Sequence, residues 1–349
     1  MKAAVWYGKK DIRVEDRDVA HLGQNDVKIN VAWAGICGSD LHEYSHGPIQ
    51  IPVDNKDPLT ENQAPLTMGH EFAGIVEEVG ESVTNYKKGD RVTVNPGVTY
   101  GVKDDSVDIY DGYAAIGLHT DGGFAETVVV NQKHVYILPN SLSLEDGALV
   151  EPMAVGVQAI KEANFRIGQT VAIVGAGPIG LLTIVAAKAA GASKIIAMDL
   201  SEARLEKAKE VGATHIINSG NVDPVEEVKK IEPYGVDASF EVAGIEPTFK
   251  QAVQMTKARG IVTVISIFAK PISFNPMSLT TSGVKITSTF AYEPITFQQT
   301  IDMMANGQLK PQGIVTDRIE LQDIVKAGFE VLSNDKAQAK ILVGISKEK

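Results

Sequence analysis

Cysteine is almost missing from this chain. Cys37 is the only one among 349 residues, so neither an internal disulfide nor a four-cysteine metal site can form, and nothing points to an oxidising compartment. Basic charge is also short, with 33 Lys and Arg against 44 Asp and Glu and a net charge of -11. Such a surface repels nucleic acid, whose binding needs a basic face, and it disfavours anionic membranes. Long apolar runs are lacking too. The longest candidate, VAIVGAGPIGLLTIVAA (171–187), is interrupted by three glycines and a proline, which suits a strand, a turn and a helix better than a membrane span. The opening MKAAVWYGKK has no apolar core followed by a small-residue cleavage site, so no signal peptide is expected and the protein reads as soluble and cytoplasmic.

What is present is ample core material, 44% hydrophobic residues, in a length that favours two domains. The first third carries short β-branched runs such as VKINVAW (27–33), AGIVEEVG (73–80), DRVTVNP (90–96) and ETVVVN (126–131). Broken by Gly, Asn, Asp and Pro, they predict an irregular β domain. Residues 45–68 hold four prolines and little periodicity, the mark of a long functional loop. The middle alternates apolar strands with helical stretches: VAIVGAG, PIGLLTIVAAKAAGA, KIIAMDL, SEARLEKAKEVGA, HIIN, VDASFEVAG, TFKQAVQMTKA and GIVTVISIF. That order predicts βαβ units and a doubly wound parallel sheet, an α/β fold overall. The expected division is 154–291 for this sheet domain, with 1–153 and 292–349 forming the β-rich one and AKILVGI (339–345) as the final strand.

Gly175, Gly177 and Gly180 form GAGPIG directly after the strand VAIV, with Pro178 and Ile179 opening a helix. The first glycine permits a tight turn, the second lets backbone approach a pyrophosphate, and the third lets helix and strand pack closely. The helix N-terminus then offers free N–H groups to the phosphates. Nineteen residues beyond Gly180, the second strand ends in Asp199, the position from which a carboxylate holds the adenosine ribose hydroxyls. Leu200 follows rather than an arginine, which favours NAD over NADP, and Arg204 lies one turn further towards the adenosine side. An ordinary glycine-rich turn with a surface aspartate would not bring all four features into register.

Cys37 sits in GICGSDLH, and downstream GHEFAG supplies His70 and Glu71 while ALVEPMAV supplies Glu151. One thiolate, one imidazole and one carboxylate suffice for a zinc site with an open fourth position. On spacing alone the alternative stays open: a cysteine that only packs and a GHE that only turns.

The combination of GHEFAGIVEEVG, KKGDRV and GAGPIG resembles the zinc-dependent medium-chain dehydrogenase/reductase family over almost the whole chain. The resemblance implies a GroES-like catalytic domain joined to a Rossmann-type domain. It places Cys37 and His70 as catalytic zinc ligands and Glu151 at the third-ligand position, which is cysteine in some members and glutamate in polyol-type ones. It makes Glu71 a carboxylate beside the metal that replaces the water ligand in some members. Asp40 matches the group that orients the ligating histidine, as a metal-bound imidazole requires, and Ser39 with His42 match a proton relay.

Many members hold a second zinc in the lobe corresponding to residues 95–118, which here contains no cysteine. One zinc per subunit is therefore expected, and the acidic group Asp104, Asp105, Asp108 and Asp111 reads as a solvated surface. The implied reaction is hydride exchange between NAD and a secondary alcohol or ketone. The stretch CGSDLHEY…GPIQIP…PLT…TMGHEF resembles members acting on (2R,3R)-butanediol, acetoin and diacetyl, with sorbitol/L-iditol- or threonine-type substrates as the alternative. A zinc-free enone reductase would lack the Cys–His–Glu set, and a non-catalytic NAD-binding protein would have lost a ligand or relay residue. The resemblance further implies a homodimer or homotetramer formed through edge strands near GIVTVISIF and VKITSTF.

Overall fold

The computed structural model describes residues 1–103, 106–107 and 109–346. Asp104, Asp105 and Asp108 of the acidic stretch lie outside them. The chain divides into two compact units, Met1–Pro152 with Glu293–Ala305 and Val315–Lys349, and Met153–Tyr292 with Asn306–Ile314. The fold is the mixed α/β one that the alternating pattern predicts. Among the described residues no helix is long and apolar enough to cross a membrane.

The first unit is built on β1 (Asp26–Gly35), whose residues Val27, Ile29 and Val31 are fully buried. It runs antiparallel to β2 (Glu71–Val79) on one side and to the C-terminal strand Lys340–Gly344 on the other. The strand Thr127–Asn131 also pairs with it. Register decides where the chemistry falls: Gly35 stands opposite Glu71 and opposite Leu342. The end of β1, the start of β2 and the start of the last strand therefore meet at one point. A core including Trp6, Phe72, Phe124 and Phe329 fills this unit, with Phe124 and Phe329 edge to face at 6.3 Å.

In the lobe without cysteines, Gly97–Thr99 pairs antiparallel with Tyr113–Ala115. Ile116 N donates to the Pro96 carbonyl at 2.9 Å, Ala115 N donates to His119 Nδ1 at 3.1 Å, and Ile116 and Leu118 are buried. Backbone pairing and side-chain burial hold this part of the lobe.

The second unit is a six-stranded parallel sheet. Its strands are β3 (Thr170–Val174), β4 (Lys194–Asp199), β5 (His215–Asn218), β6 (Val236–Glu241), β7 (Thr256–Val264) and β8 (Lys285–Ser288), in the spatial order β5-β4-β3-β6-β7-β8. The order reverses between β3 and β6, and in such sheets ligands bind outside the carboxyl ends of the strands at that reversal. The helical stretch TFKQAVQMTKA ends earlier than its pattern implies. Its helix stops at Met255 and strand begins at Thr256, whose hydroxyl donates to the Ala252 carbonyl and hydrogen-bonds with the Ser239 hydroxyl, both at 2.7 Å. The turn Pro311–Ile314 packs on the helices Pro178–Ala189 and Glu202–Val211, which is why Asn306–Ile314 groups with this unit although it lies beyond residue 292.

Candidate active site

Cys37 leaves the end of β1 as the N-cap of α1 (Gly38–His46). Asp40, third in that helix and fully buried, accepts a hydrogen bond from Cys37 N at 3.0 Å. A short acidic residue in the first turn suits the helix start, where backbone N–H groups lack partners. The ligand atoms of Cys37, His70 and Glu71 all lie within 4.8 Å of one another. His70 is buried, with Nδ1 3.4 Å from Asp40 Oδ1 and Nε2 3.3 Å from Ser39 Oγ. The Nδ1–Oδ1 pair is close but poorly aligned, and neither buried atom has another hydrogen-bond partner. Burial works against charge on His70, yet the Asp40 carboxylate and Cys37 outweigh it and raise its pKa well above the ordinary imidazole value.

Glu71 is fully buried, and Lys340 Nζ reaches both of its carboxylate oxygens at 2.7 Å and the Ile36 carbonyl at 3.0 Å. Burial opposes the Lys340 charge, but Glu71, Cys37 and Glu151 prevail and raise its pKa. Space is as restricted as charge: a Cβ on Gly35 would stand 2.1 Å from Glu71 Oε2. Anionic and imidazole donors converging in a buried pocket, with a polar pair left over, fit a zinc ion by ligand chemistry.

Glu151 does not fall in the group within 4.8 Å. It is buried in the first turn of the helix Val150–Glu162. Its charge nevertheless reaches Lys340 and Tyr113. The Tyr113 phenol is held above its ordinary pKa by burial first and by Glu151 next. His42 follows Ser39 by three residues on α1 and is exposed, but the covered part of its ring and the nearby His46 lower its pKa.

In the second unit Gly175 takes φ +111°, and Pro178 starts α2 (Pro178–Ala189) with Gly177 as its N-cap. A Cβ on Gly180 would stand 2.0 Å from the Gly175 carbonyl oxygen, whereas one on Gly177 would meet nothing within 4 Å. The third glycine is needed for packing, and the second faces open space of the kind a pyrophosphate would fill. Ile179 lies in the first turn of α2, where its carbonyl accepts from Thr183 Oγ1 at 2.8 Å. Asp199 closes β4, with Oδ2 accepting from Ala176 N at 2.9 Å and Oδ1 from Ser201 N at 3.0 Å; Arg204 Nη1 is 3.8 Å away. These residues fit a dinucleotide.

Sequence reasoning missed three residues. Lys340 carried a signal, a lysine opening the apolar run AKILVGI, since a lysine buried there requires a carboxylate partner. Glu43 is fully buried and accepts from the backbone N–H groups of Ile49, Gln50 and Ile51, so it shapes the start of the long loop. Tyr113 gave no local signal.

Residues 23–140 match the alcohol dehydrogenase GroES-like domain and residues 178–306 the zinc-binding dehydrogenase family. The chain is 42% identical to (R,R)-butanediol dehydrogenase of Bacillus subtilis (strain 168), covering 98% of this chain and 99% of that one. It is 35% identical to sorbitol dehydrogenase of the same strain, covering 98% and 97%. The X-ray structure of 2R,3R-butanediol dehydrogenase from Bacillus subtilis superposes with a TM-score of 0.94 at 42% identity, over 98% of this chain and 99% of that one.

The Lys340–Glu71 pair predicts a specific stability pattern. Lys340→Met strands a buried carboxylate and should cost about 3–5 kcal/mol, while Glu71→Gln combined with Lys340→Met should recover much of it. Urea unfolding of both variants checks this, and a single variant as stable as the parent would show that the pair is not coupled.

Proposed function

This chain belongs to the zinc-binding alcohol dehydrogenase family and is an oxidoreductase; on that premise we propose that it moves a hydride between NAD and a secondary alcohol or its ketone, (2R,3R)-butanediol and acetoin first, with diacetyl as a further ketone. The observation that carries the reading is the meeting of Cys37, His70 and Glu71 beside the first turn of α1, which supplies Ser39 and Asp40. Cys37 and His70 would hold one zinc together with Glu151, because Lys340 already engages both oxygens of Glu71. Bound zinc would supply the Lewis acidity that eases loss of an alcohol proton, and NAD would accept the hydride. Asp40 keeps the His70 ring oriented. Ser39 would accept the substrate proton while releasing its own hydroxyl proton towards His42, whose partly covered ring is held below the ordinary imidazole pKa and which passes the proton to solvent.

NAD rather than NADP is supported by Asp199, whose charge would repel a 2′-phosphate, and by the exposed Leu200 beside it. The butanediol assignment rests on the 42% identical relative; the 35% identical sorbitol dehydrogenase keeps a polyol as the second reading. We place the protein in the cytoplasm as a homodimer or homotetramer. The support for an oligomer is the edge strand β8, where Ile286 is exposed, together with the exposed Ile267 after β7 and Phe290 after β8. Sedimentation at the mass of one chain would remove that assignment.

The deciding experiment is NADH formation on (2R,3R)-butanediol beside sorbitol and threonine. The highest rate is expected on the butanediol, and a higher rate on sorbitol would move the substrate class to polyols. Cys37→Ala and Glu151→Gln should lower bound zinc, whereas Glu71→Gln should not; normal zinc in the first two would displace them as ligands. His42→Ala should reduce turnover about 10- to 100-fold. It should also remove the fall in alcohol oxidation on the acid side, where the native ring becomes protonated and cannot accept a proton. An unchanged pH–rate profile would end the relay assignment. Asp199→Ala should raise the KM for NAD and narrow the preference over NADP, which initial rates with both cofactors would show.

A further inference from the structure

Glu241 is the last residue of β6, opposite Val174 at the end of β3, and so stands at the reversal point of the sheet. It is fully buried. Its Oε1 accepts from Ala243 N at 3.0 Å, Gly244 N at 2.9 Å and Thr248 Oγ1 at 2.7 Å, and its Oε2 accepts from Ser266 Oγ. One carboxylate thus gathers the loop after β6 and the loop after β7. The loops also touch directly, since a Cβ on Gly244 would lie 2.6 Å from the Ile267 carbonyl oxygen. The first of them abuts the glycine turn: a Cβ on Gly175 would lie 3.3 Å from Ala243, and Val242 N donates to the Val174 carbonyl at 3.0 Å.

Burying a carboxylate costs more than burying an apolar side chain unless its oxygens are fully engaged. Here they are engaged by four donors, Ala243 and Gly244 from the loop after β6, Ser266 from the loop after β7 and Thr248 from the first turn of the helix Glu246–Met255, an arrangement no apolar residue could hold. The glycine turn therefore lies between two carboxylates. Asp199 ties it to the β4 side through Ala176 N, and Glu241 shapes the β6–β7 side.

We propose that Glu241 is a positioning residue that fixes the half of the dinucleotide crevice beyond the β6 and β7 ends, the half remote from the adenosine that Asp199 would hold. The inference rests on the NAD reading above. It follows that Glu241 governs the nicotinamide-side mononucleotide while leaving the AMP portion of the site intact.

The test compares NADH affinity, by energy transfer from protein fluorescence, with inhibition by AMP, in the zinc-loaded protein. Glu241→Ala removes the acceptor shared by the two loops and should weaken NADH about 10-fold, about 1.4 kcal/mol, with AMP inhibition nearly unchanged. Glu241→Gln should restore most of the affinity, because its amide accepts from Ala243 and Gly244 and donates to Ser266. Ser266→Ala removes one partner and should give a smaller loss of NADH affinity alone; it decides the question if Glu241→Ala does not fold. Equal loss of NADH and AMP, or no loss of either in Glu241→Ala or Ser266→Ala, would overturn the proposal. If the parent protein binds neither NADH nor AMP, the NAD reading itself falls and takes this inference with it.

Discussion

Buried negative charge next to Cys37 is the constraint on which the first unit depends. Asp40 and Glu71 are both fully buried, and burying a carboxylate is costly unless cationic or hydrogen-bonding partners engage its oxygens. Lys340 answers Glu71, and His70 faces Asp40. The lysine comes from a position 269 residues further along the chain. The pocket is therefore complete only once the C-terminal strand has docked against β1, so pairing at the end of the chain and chemistry near its beginning form one structural event.

The same logic accounts for features that look unrelated. Gly35 has no side chain because the Glu71 carboxylate occupies the space a Cβ would need. Cys37 caps a helix whose third residue, Asp40, turns back to the Cys37 N–H and faces the His70 ring. A single helix start thus places a thiol, a buried carboxylate and a facing histidine together, the set the proposed zinc site would use. Between the two glutamates, Glu71 lies within ligand range of Cys37 and His70 but is held by an ammonium group, while Glu151 stands outside that group within reach of the same lysine's field. On the proposed zinc reading, the hold of Lys340 on both Glu71 oxygens is what leaves the third metal position to Glu151.

The second unit follows a different economy, one of backbone donors rather than ion pairs. Its glycine turn is fixed by Asp199 through a main-chain N–H, and the opposite loops are gathered by Glu241 through N–H and hydroxyl groups. Carboxylates whose oxygens are occupied by fixed dipoles can sit close to an anion-binding turn without presenting a bare charge. Open space at Gly177 and tight space at Gly180 then divide the labour of the fingerprint between ligand approach and packing.

Local pattern determined a large part of this protein. Short β-branched runs placed β1 and β2, and continuous apolar runs between helical stretches placed the parallel strands, because these signals are written in consecutive residues. GAGPIG with Asp199 was readable because turn, helix start and second strand lie within a single βαβ unit. Cys37 and His70 stood out by their neighbours, although their pairing drew on family resemblance rather than on spacing. The tertiary structure alone decided the rest. It brought Lys340 to Glu71, set Glu71 rather than Glu151 beside Cys37 and His70, placed Asn306–Ile314 with the second unit and turned Glu241 into a junction between loops. Each of these depends on register between strands distant in sequence and on which charges share a buried volume. No short window of sequence contains either quantity.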